Sequence, residues 1–125
     1  MDEHAFVSIK GGSYVTFKRA VAAGQALPAL SAAYELGRLN LADALALTCV
    51  LRDDPRHFEG AVVRWHSRFV QEVRGVGVAD AALALAALGS FRSSFGAGAA
   101  ALAAVCDRYE RADLAEVLDR ALGQA

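Results

Sequence analysis

Residues that start and stop helices divide this 125-residue sequence at short intervals. Glycines, prolines and capping residues such as Asn40 and Asp54 separate segments that are rich in alanine and leucine. Glycine commonly ends helices, proline suits the first helical turn, and asparagine or aspartate caps the first free backbone N–H groups. Outside residues 5–9, no window shows the sustained alternation of a β-strand. The pattern therefore predicts an all-α fold.

These boundaries predict about seven helices. The first begins near Ser13 or Tyr14 and ends at Gly24, and the second starts around Pro28 and ends at Gly37. The others cover about 41–52, 55–74, 78–89, 93–109 and 112–122. Residues 1–12 are predicted to be an extended or mobile arm, and residues 13–125 a single domain. Consecutive helices are expected to pair as antiparallel hairpins, either in an α-solenoid-like stack (TPR- or HEAT-like) or in a compact bundle.

A short phrase recurs in these segments. It occurs as LADALALTCVL at 41–51, as VADAALALAAL at 78–88 and, less closely, as RADLAEVL at 111–118. Each copy places an aspartate (Asp43, Asp80 or Asp113) in a first helical turn, where a carboxylate interacts with free N–H groups and the helix dipole. The aspartate spacings of 37 and 33 residues lie in the range of helix-pair repeats. A true repeat and a similarity of composition both remain open.

Side-chain patterns predict which helix faces are buried. The third and fifth predicted helices are apolar almost all round, which is typical of helices in the centre of a protein. The fourth has a core face, consisting of Phe58, Val62, Trp65, Phe69 and Val73. The sixth has a small-residue face, consisting of Gly96, Ala97, Ala100, Ala101 and Ala104. We expect that face to pack tightly on another helix of the chain, with a partner or subunit contact as the alternative.

Opposite its core face, the fourth helix carries four arginines, Arg56, Arg64, Arg68 and Arg74, here called the arginine arc. Arginine makes bidentate contacts with carboxylates and phosphates. The arc fits a solvated face with local ion pairs, a surface for a protein partner with an acidic patch, or a surface for nucleic acid. It has no interleaved aromatic residues for base stacking, and the chain has a formal charge of −1. Both features favour a protein over nucleic acid.

Few side chains in the sequence could act in catalysis or bind a metal. His57 and His66 point to opposite sides of the fourth helix, so that helix cannot chelate a metal with both. His66 falls on the apolar face, where a backbone carbonyl or Glu59 is its expected partner. Cys49 and Cys106 lack basic neighbours and paired ligand spacing, which predicts inert, buried thiols. Known catalytic and nucleotide-binding signatures are absent. The sequence therefore predicts a non-enzyme, with no metal, cofactor or small-molecule substrate.

Three segments resemble a known group of proteins. SYVTFKRAVAAG (13–24), LADALALTCVLRDD (41–54) and AVVRWHSRF (61–69) resemble short alanine- and arginine-rich helical proteins of actinobacteria that have no assigned function. The resemblance covers roughly residues 13–75 and rests mostly on core and capping positions. It implies no activity and no site.

The location and function follow from these patterns. The N-terminus lacks the pattern of a signal peptide, and no apolar run reaches the roughly 20 residues that span a bilayer, so we expect a cytoplasmic protein without membrane contact. The predicted function is a non-catalytic helical interaction or scaffold module. Its partner is expected to be a protein, with self-association as a further expectation. The alternative is a nucleic-acid-associated regulatory protein that uses the same basic face.

Overall fold

The computed structural model describes the backbone of residues 3–123 and the side chains of residues 11–123, and all regular structure in that part is helical. Seven α-helices follow one another: α1 (Glu3–Ala22), α2 (Ala26–Leu36), α3 (Leu41–Val50), α4 (Phe58–Glu72), α5 (Val78–Gly89), α6 (Phe95–Arg108) and α7 (Ala112–Gly123). A single 3₁₀ turn, Leu51–Asp53, follows α3. The predicted all-α fold is confirmed. No helix in residues 3–123 is both long enough and apolar enough to cross a bilayer.

Local chemistry explains three of the helix boundaries. Gly24 and Gly37 follow α1 and α2 with φ angles of 68° and 83°, a conformation that glycine adopts at little cost. Asn40 caps α3, because its side-chain oxygen accepts a hydrogen bond from the Asp43 backbone N–H at 2.7 Å. The boundaries predicted from these residues are confirmed.

The N-terminal arm predicted over residues 1–12 is corrected. The chain is helical from Glu3, while residues 1 and 2 lie outside the described part. Gly11 and Gly12 each reduce helix propensity by about 1 kcal/mol relative to alanine. That penalty does not end a helix that tertiary packing stabilises, and α1 packs on α2, so α1 continues through the glycine pair.

The start of α4 also differs from its prediction. The Asp54 carboxylate accepts a hydrogen bond from the Arg56 backbone N–H at 3.0 Å, and the Asp54 carbonyl accepts one from the Phe58 N–H at 3.0 Å. Asp54 therefore caps a separate turn that contains Pro55. The α-helix begins only after that turn, at Phe58.

The central helix is α3, which packs against α1, α2, α4 and α7. Leu41, Leu45 and Cys49 of α3 are buried, as its apolar pattern predicts. The expected hairpins form, since α3 packs on α4 and α5 on α6. In an open solenoid each repeat contacts only its neighbours. The contact between α3 and α7 instead closes the chain into a compact bundle.

Trp65 connects α4 to the beginning of α3. All five predicted core residues are buried, four in α4 and Val73 directly after it, and Trp65 is the largest of them. Its indole N–H donates a hydrogen bond to the Leu41 carbonyl at 2.9 Å, and its ring stacks on Phe69 with 5.1 Å between centroids. A buried donor without a partner costs about 1–3 kcal/mol. The bond therefore favours one position of α4 along α3.

The three recurring aspartates occupy first helical turns, as predicted. Each also pairs with a basic side chain, the pairs being Asp43–Lys18, Asp80–Arg108 and Asp113–Arg111. A tyrosine hydroxyl donates to two of them: Tyr14 to Asp43 at 3.1 Å and Tyr109 to Asp80 at 2.6 Å. Asp43 and Asp80 thus connect helices as well as stabilising helix starts.

The prediction that α5 is a central helix is wrong. Ala84, Ala87 and Leu88 are buried, but Val78 is 89% exposed and Leu83 is 41% exposed. The reason is that α5 packs mainly on α4 and α6, so much of its remaining face is not covered by another described helix. An apolar composition alone does not ensure that a helix is covered.

The predicted tight packing of the small-residue face of α6 is also wrong. Four of its five residues, Gly96, Ala97, Ala100 and Ala104, are exposed, and Ala101 alone is partly buried against the core. The close contact with α5 is made instead by Gly98, where an added Cβ would lie 2.7 Å from the Ala87 carbonyl oxygen and closer still to the Ser90 hydroxyl. The backbone atom cannot move aside as the end of a flexible side chain can.

Replacing Gly98 by alanine tests this packing. We expect Gly98→Ala to destabilise the fold by about 1–3 kcal/mol, because the new methyl group overpacks the α5–α6 contact. The matched control is Gly96→Ala in the same helix, where a Cβ meets nothing within 4 Å. That variant should be neutral or gain up to about 1 kcal/mol. Urea unfolding of both variants measures the difference, and equal stabilities would contradict the packing described here.

Candidate functional site

A groove opens between α2 and α4, both of which pack on α3. It encloses about 400 Å³. Its lining is mainly apolar, with Leu30 and Ala33 from α2, Ala44 and Leu47 from α3, and Ala61 from α4. Because all three helices contribute alanines, whose side chains are short, the space between α2 and α4 is left unfilled.

Three arginines line the groove: Arg64 and Arg68 from α4, and Arg38 from the loop after α2. Glu72 lies between two of them. Arg68 Nε donates to Glu72 Oε2 at 2.6 Å, and Arg38 Nη2 lies 3.5 Å from the same oxygen. Three arginines against this glutamate give the edge a formal charge of +2.

Arg64 is the arginine that remains available. It is exposed, and it has no hydrogen bond or ion pair to any residue whose side chain the structure describes. Its guanidinium lies over Gly60, with Arg64 Nη1 3.0 Å from where a Cβ of Gly60 would be. Gly60 thus provides the space that the Arg64 side chain occupies. A guanidinium without an internal partner can bind a carboxylate without first breaking an ion pair.

The structure divides the arginine arc. Arg64 and Arg68 line the groove, whereas Arg56 precedes α4, Arg74 follows it, and neither contributes to the groove. With a rise of about 1.5 Å per residue, α4 separates its two ends by roughly 20 Å. The four predicted residues therefore do not form one site.

Two further polar side chains line the groove, Arg38 and Tyr34, and neither is among the predicted site residues. The turn at Gly37 brings Arg38 next to Glu72 of α4, a contact between elements that helix patterns do not indicate. Tyr34 lies on the α2 wall and is 76% exposed. The spacing of Leu30, Ala33 and Tyr34 places them on one face of a helix, and that signal was present in the sequence.

Glu72 partly neutralises the edge of the groove. Hydrogen bonding from Arg68 lowers the pKa of the Glu72 carboxyl below its ordinary value, and the charges of Arg68 and Arg38 lower this pKa further. The carboxylate is therefore ionised at neutral pH and pairs with both arginines. Arg68 lies in a local ion pair, as predicted for a solvated face, whereas Arg64 pairs with no described side chain.

The other candidate groups are engaged or buried. His66 Nε2 donates to the Ala81 carbonyl at 2.7 Å, so its partner is a backbone carbonyl rather than Glu59. Burial raises the pKa of the Cys49 and Cys106 thiols to about 12, and both cysteines are free. In the described part of the chain, no group of three or more His, Cys, Asp or Glu residues is placed to hold a metal ion.

No protein-family model, no curated protein and no solved structure matches this chain. The shape and charge of the groove are therefore the features that bear on function.

The pairing of Glu72 can be measured directly. We expect an NMR pH titration to find the Glu72 carboxyl with a pKa below its ordinary value of about 4.3. Because the folded pKa is lowered, the stabilisation from this pairing is present above about pH 4.3 and is lost as the pH falls through the folded pKa. In Arg68→Gln the Glu72 pKa should rise towards the ordinary value. An unchanged Glu72 pKa in that variant would contradict the pairing.

Proposed function

We propose that this protein is a non-catalytic helical interaction module, which binds an acidic region of a partner protein in the groove between α2 and α4. The observation that supports this proposal is the combination of an unfilled apolar groove with an unpaired arginine, Arg64, at its edge. The apolar lining supplies area for burial. The arginines orient the bound segment, and they increase the rate of association with an acidic partner. We propose that the protein acts in the cytoplasm, where thiols such as Cys49 and Cys106 stay reduced.

Nucleic acid is the alternative partner, and one observation favours it. Tyr34 exposes an aromatic ring beside the groove, and an exposed ring can stack on a base. Nucleic-acid binding draws most of its affinity from many phosphate contacts, yet the groove has a formal charge of only +2. An acidic protein segment uses both the apolar lining and the arginines, whereas a phosphate backbone uses only the arginines.

Charge reversal at Arg64 tests the proposed function. We expect Arg64→Glu to abolish retention of the partner in affinity purification from the cells that make this protein, with the melting temperature nearly unchanged because Arg64 is exposed and unpaired. Arg74→Glu is the matched control, since it makes the same charge change on an exposed arginine outside the groove. Retention of the same partner by Arg64→Glu would exclude the groove.

The nucleic-acid alternative has its own measurement. We expect no binding of duplex or single-stranded DNA at low salt in a fluorescence anisotropy titration. Affinity that falls steeply between about 50 and 200 mM salt, and that is lost in Tyr34→Ala and in Arg64→Glu, would instead support the alternative and overturn the proposed protein partner.

We also propose self-association through the exposed faces of α5 and α6. These two helices pack side by side, and both expose uncharged residues, among them Val78, Leu83, Ala97 and Ala100. Soluble monomers rarely expose contiguous apolar patches larger than a few hundred Å². A two-fold dimer would cover this face with its own copy.

Charged substitutions test this surface. We expect Leu83→Lys combined with Ala100→Lys to shift the protein to a monomer in light scattering across a concentration series, because like charges would then face each other across the two-fold contact. Leu27→Lys is the control, because Leu27 is 63% exposed on α2 and lies on neither α5 nor α6. A wild-type protein that is monomeric at high micromolar concentration would exclude this dimer.

A further inference from the structure

We infer that the segment bound in the groove is an acidic, amphipathic α-helix of the partner, lying between α2 and α4 with its carboxylates facing Arg38, Arg64 and Arg68. This inference rests on the proposed function of the groove. It adds the conformation of the bound segment and the pattern of its side chains.

The hydrogen-bonding groups of the groove point to a helix. Its walls and floor are mostly α-helices, whose backbone groups are bonded within each helix, and residues 37–39 line it from the loop between α2 and α3. Two buried polar side chains of the lining are also engaged: the Thr48 hydroxyl donates to the Ala44 carbonyl at 2.8 Å, and the Trp65 N–H donates to the Leu41 carbonyl. An extended peptide would find few backbone partners among these helices, and each of its N–H and C=O groups buried without a partner would cost about 1–3 kcal/mol. A helix pairs those groups internally.

The shape of the groove agrees with this occupant. In the helix-in-groove mode of recognition, apolar residues at i, i+3, i+4 and i+7 anchor an amphipathic helix. Here Ala44, Leu47 and Thr48 of α3 form the floor. The α4 wall runs from Ala61 to Arg68, a length of about 10 Å. A bound helix of about two turns would match that wall, with α2 on its other side.

The position of the charges sets the polar side of the bound helix. Arg64 and Arg68 belong to the α4 wall, and Arg38 lies beyond the end of α2 near the same edge, next to Glu72. A helix with glutamate or aspartate along one flank would meet all three guanidinium groups. Glu72 competes for Arg38 and Arg68, so removing its charge should strengthen binding of an acidic helix.

A displayed library of random 14-residue peptides tests the inference without a known partner. The peptides are selected for binding to the wild-type protein after depletion on Ala44→Trp, in which an indole occupies the groove floor. We expect selected peptides to carry apolar residues at helical spacing and acidic residues on one flank, and to gain helical circular dichroism on binding. Their affinity should fall at least tenfold in Arg64→Glu, rise several-fold in Glu72→Gln and stay unchanged in Arg74→Glu.

The outcomes separate the inference from the proposed function. Selected peptides that are basic, rich in proline or not helical when bound would overturn the inference, and so would a depleted library that yields no binder. The proposed function would still stand if the cellular partner required Arg64. If neither the partner nor the peptides respond to Arg64→Glu, both fail. A melting curve of Ala44→Trp close to that of the wild type shows that its loss of binding reflects a filled groove.

Discussion

The structure depends on the burial of α3, a short helix without a polar face. Such a helix is stable only when other helices cover it, and α1, α2, α4 and α7 do so. The hydrogen bond from Trp65 to Leu41 favours one position of α4 on α3, and the contact with α7 closes the bundle. The surface of α3 is least covered between α2 and α4, where alanines line the gap. The groove is therefore a consequence of the packing that holds the molecule together.

The two faces of α4 connect the core with the candidate site. One face holds Trp65 and Phe69 in the interior, and the other carries arginines into solvent. Three arginines near one another repel, and Glu72 relieves that repulsion for Arg38 and Arg68. Arg64 has no such partner, and its side chain lies in the space that Gly60 leaves. The fold thus presents one free guanidinium beside an apolar surface, the combination on which the proposed function rests.

The recurring aspartate phrase shows what a local sequence pattern can and cannot predict. Asp43 and Asp80 both lie in first helical turns, and each accepts a hydrogen bond from a tyrosine. The tyrosine of Asp43 comes from α1, earlier in the chain, whereas that of Asp80 directly follows α6, later in the chain. The two copies thus share the chemistry of a helix start, while the surrounding packing differs between them.

The sequence by itself determined the helical class, most helix boundaries and the core face of α4, because these depend on residues within a few positions of one another. It also indicated half of the site, since Arg64 and Arg68 lie on one predicted face. Only the tertiary structure decided that Arg38 joins them, that Arg56 and Arg74 do not, and that α5 is uncovered on one side. Those outcomes depend on which helices become neighbours. Which helices become neighbours depends on the packing of the whole chain, and a pattern within a few residues does not predict it.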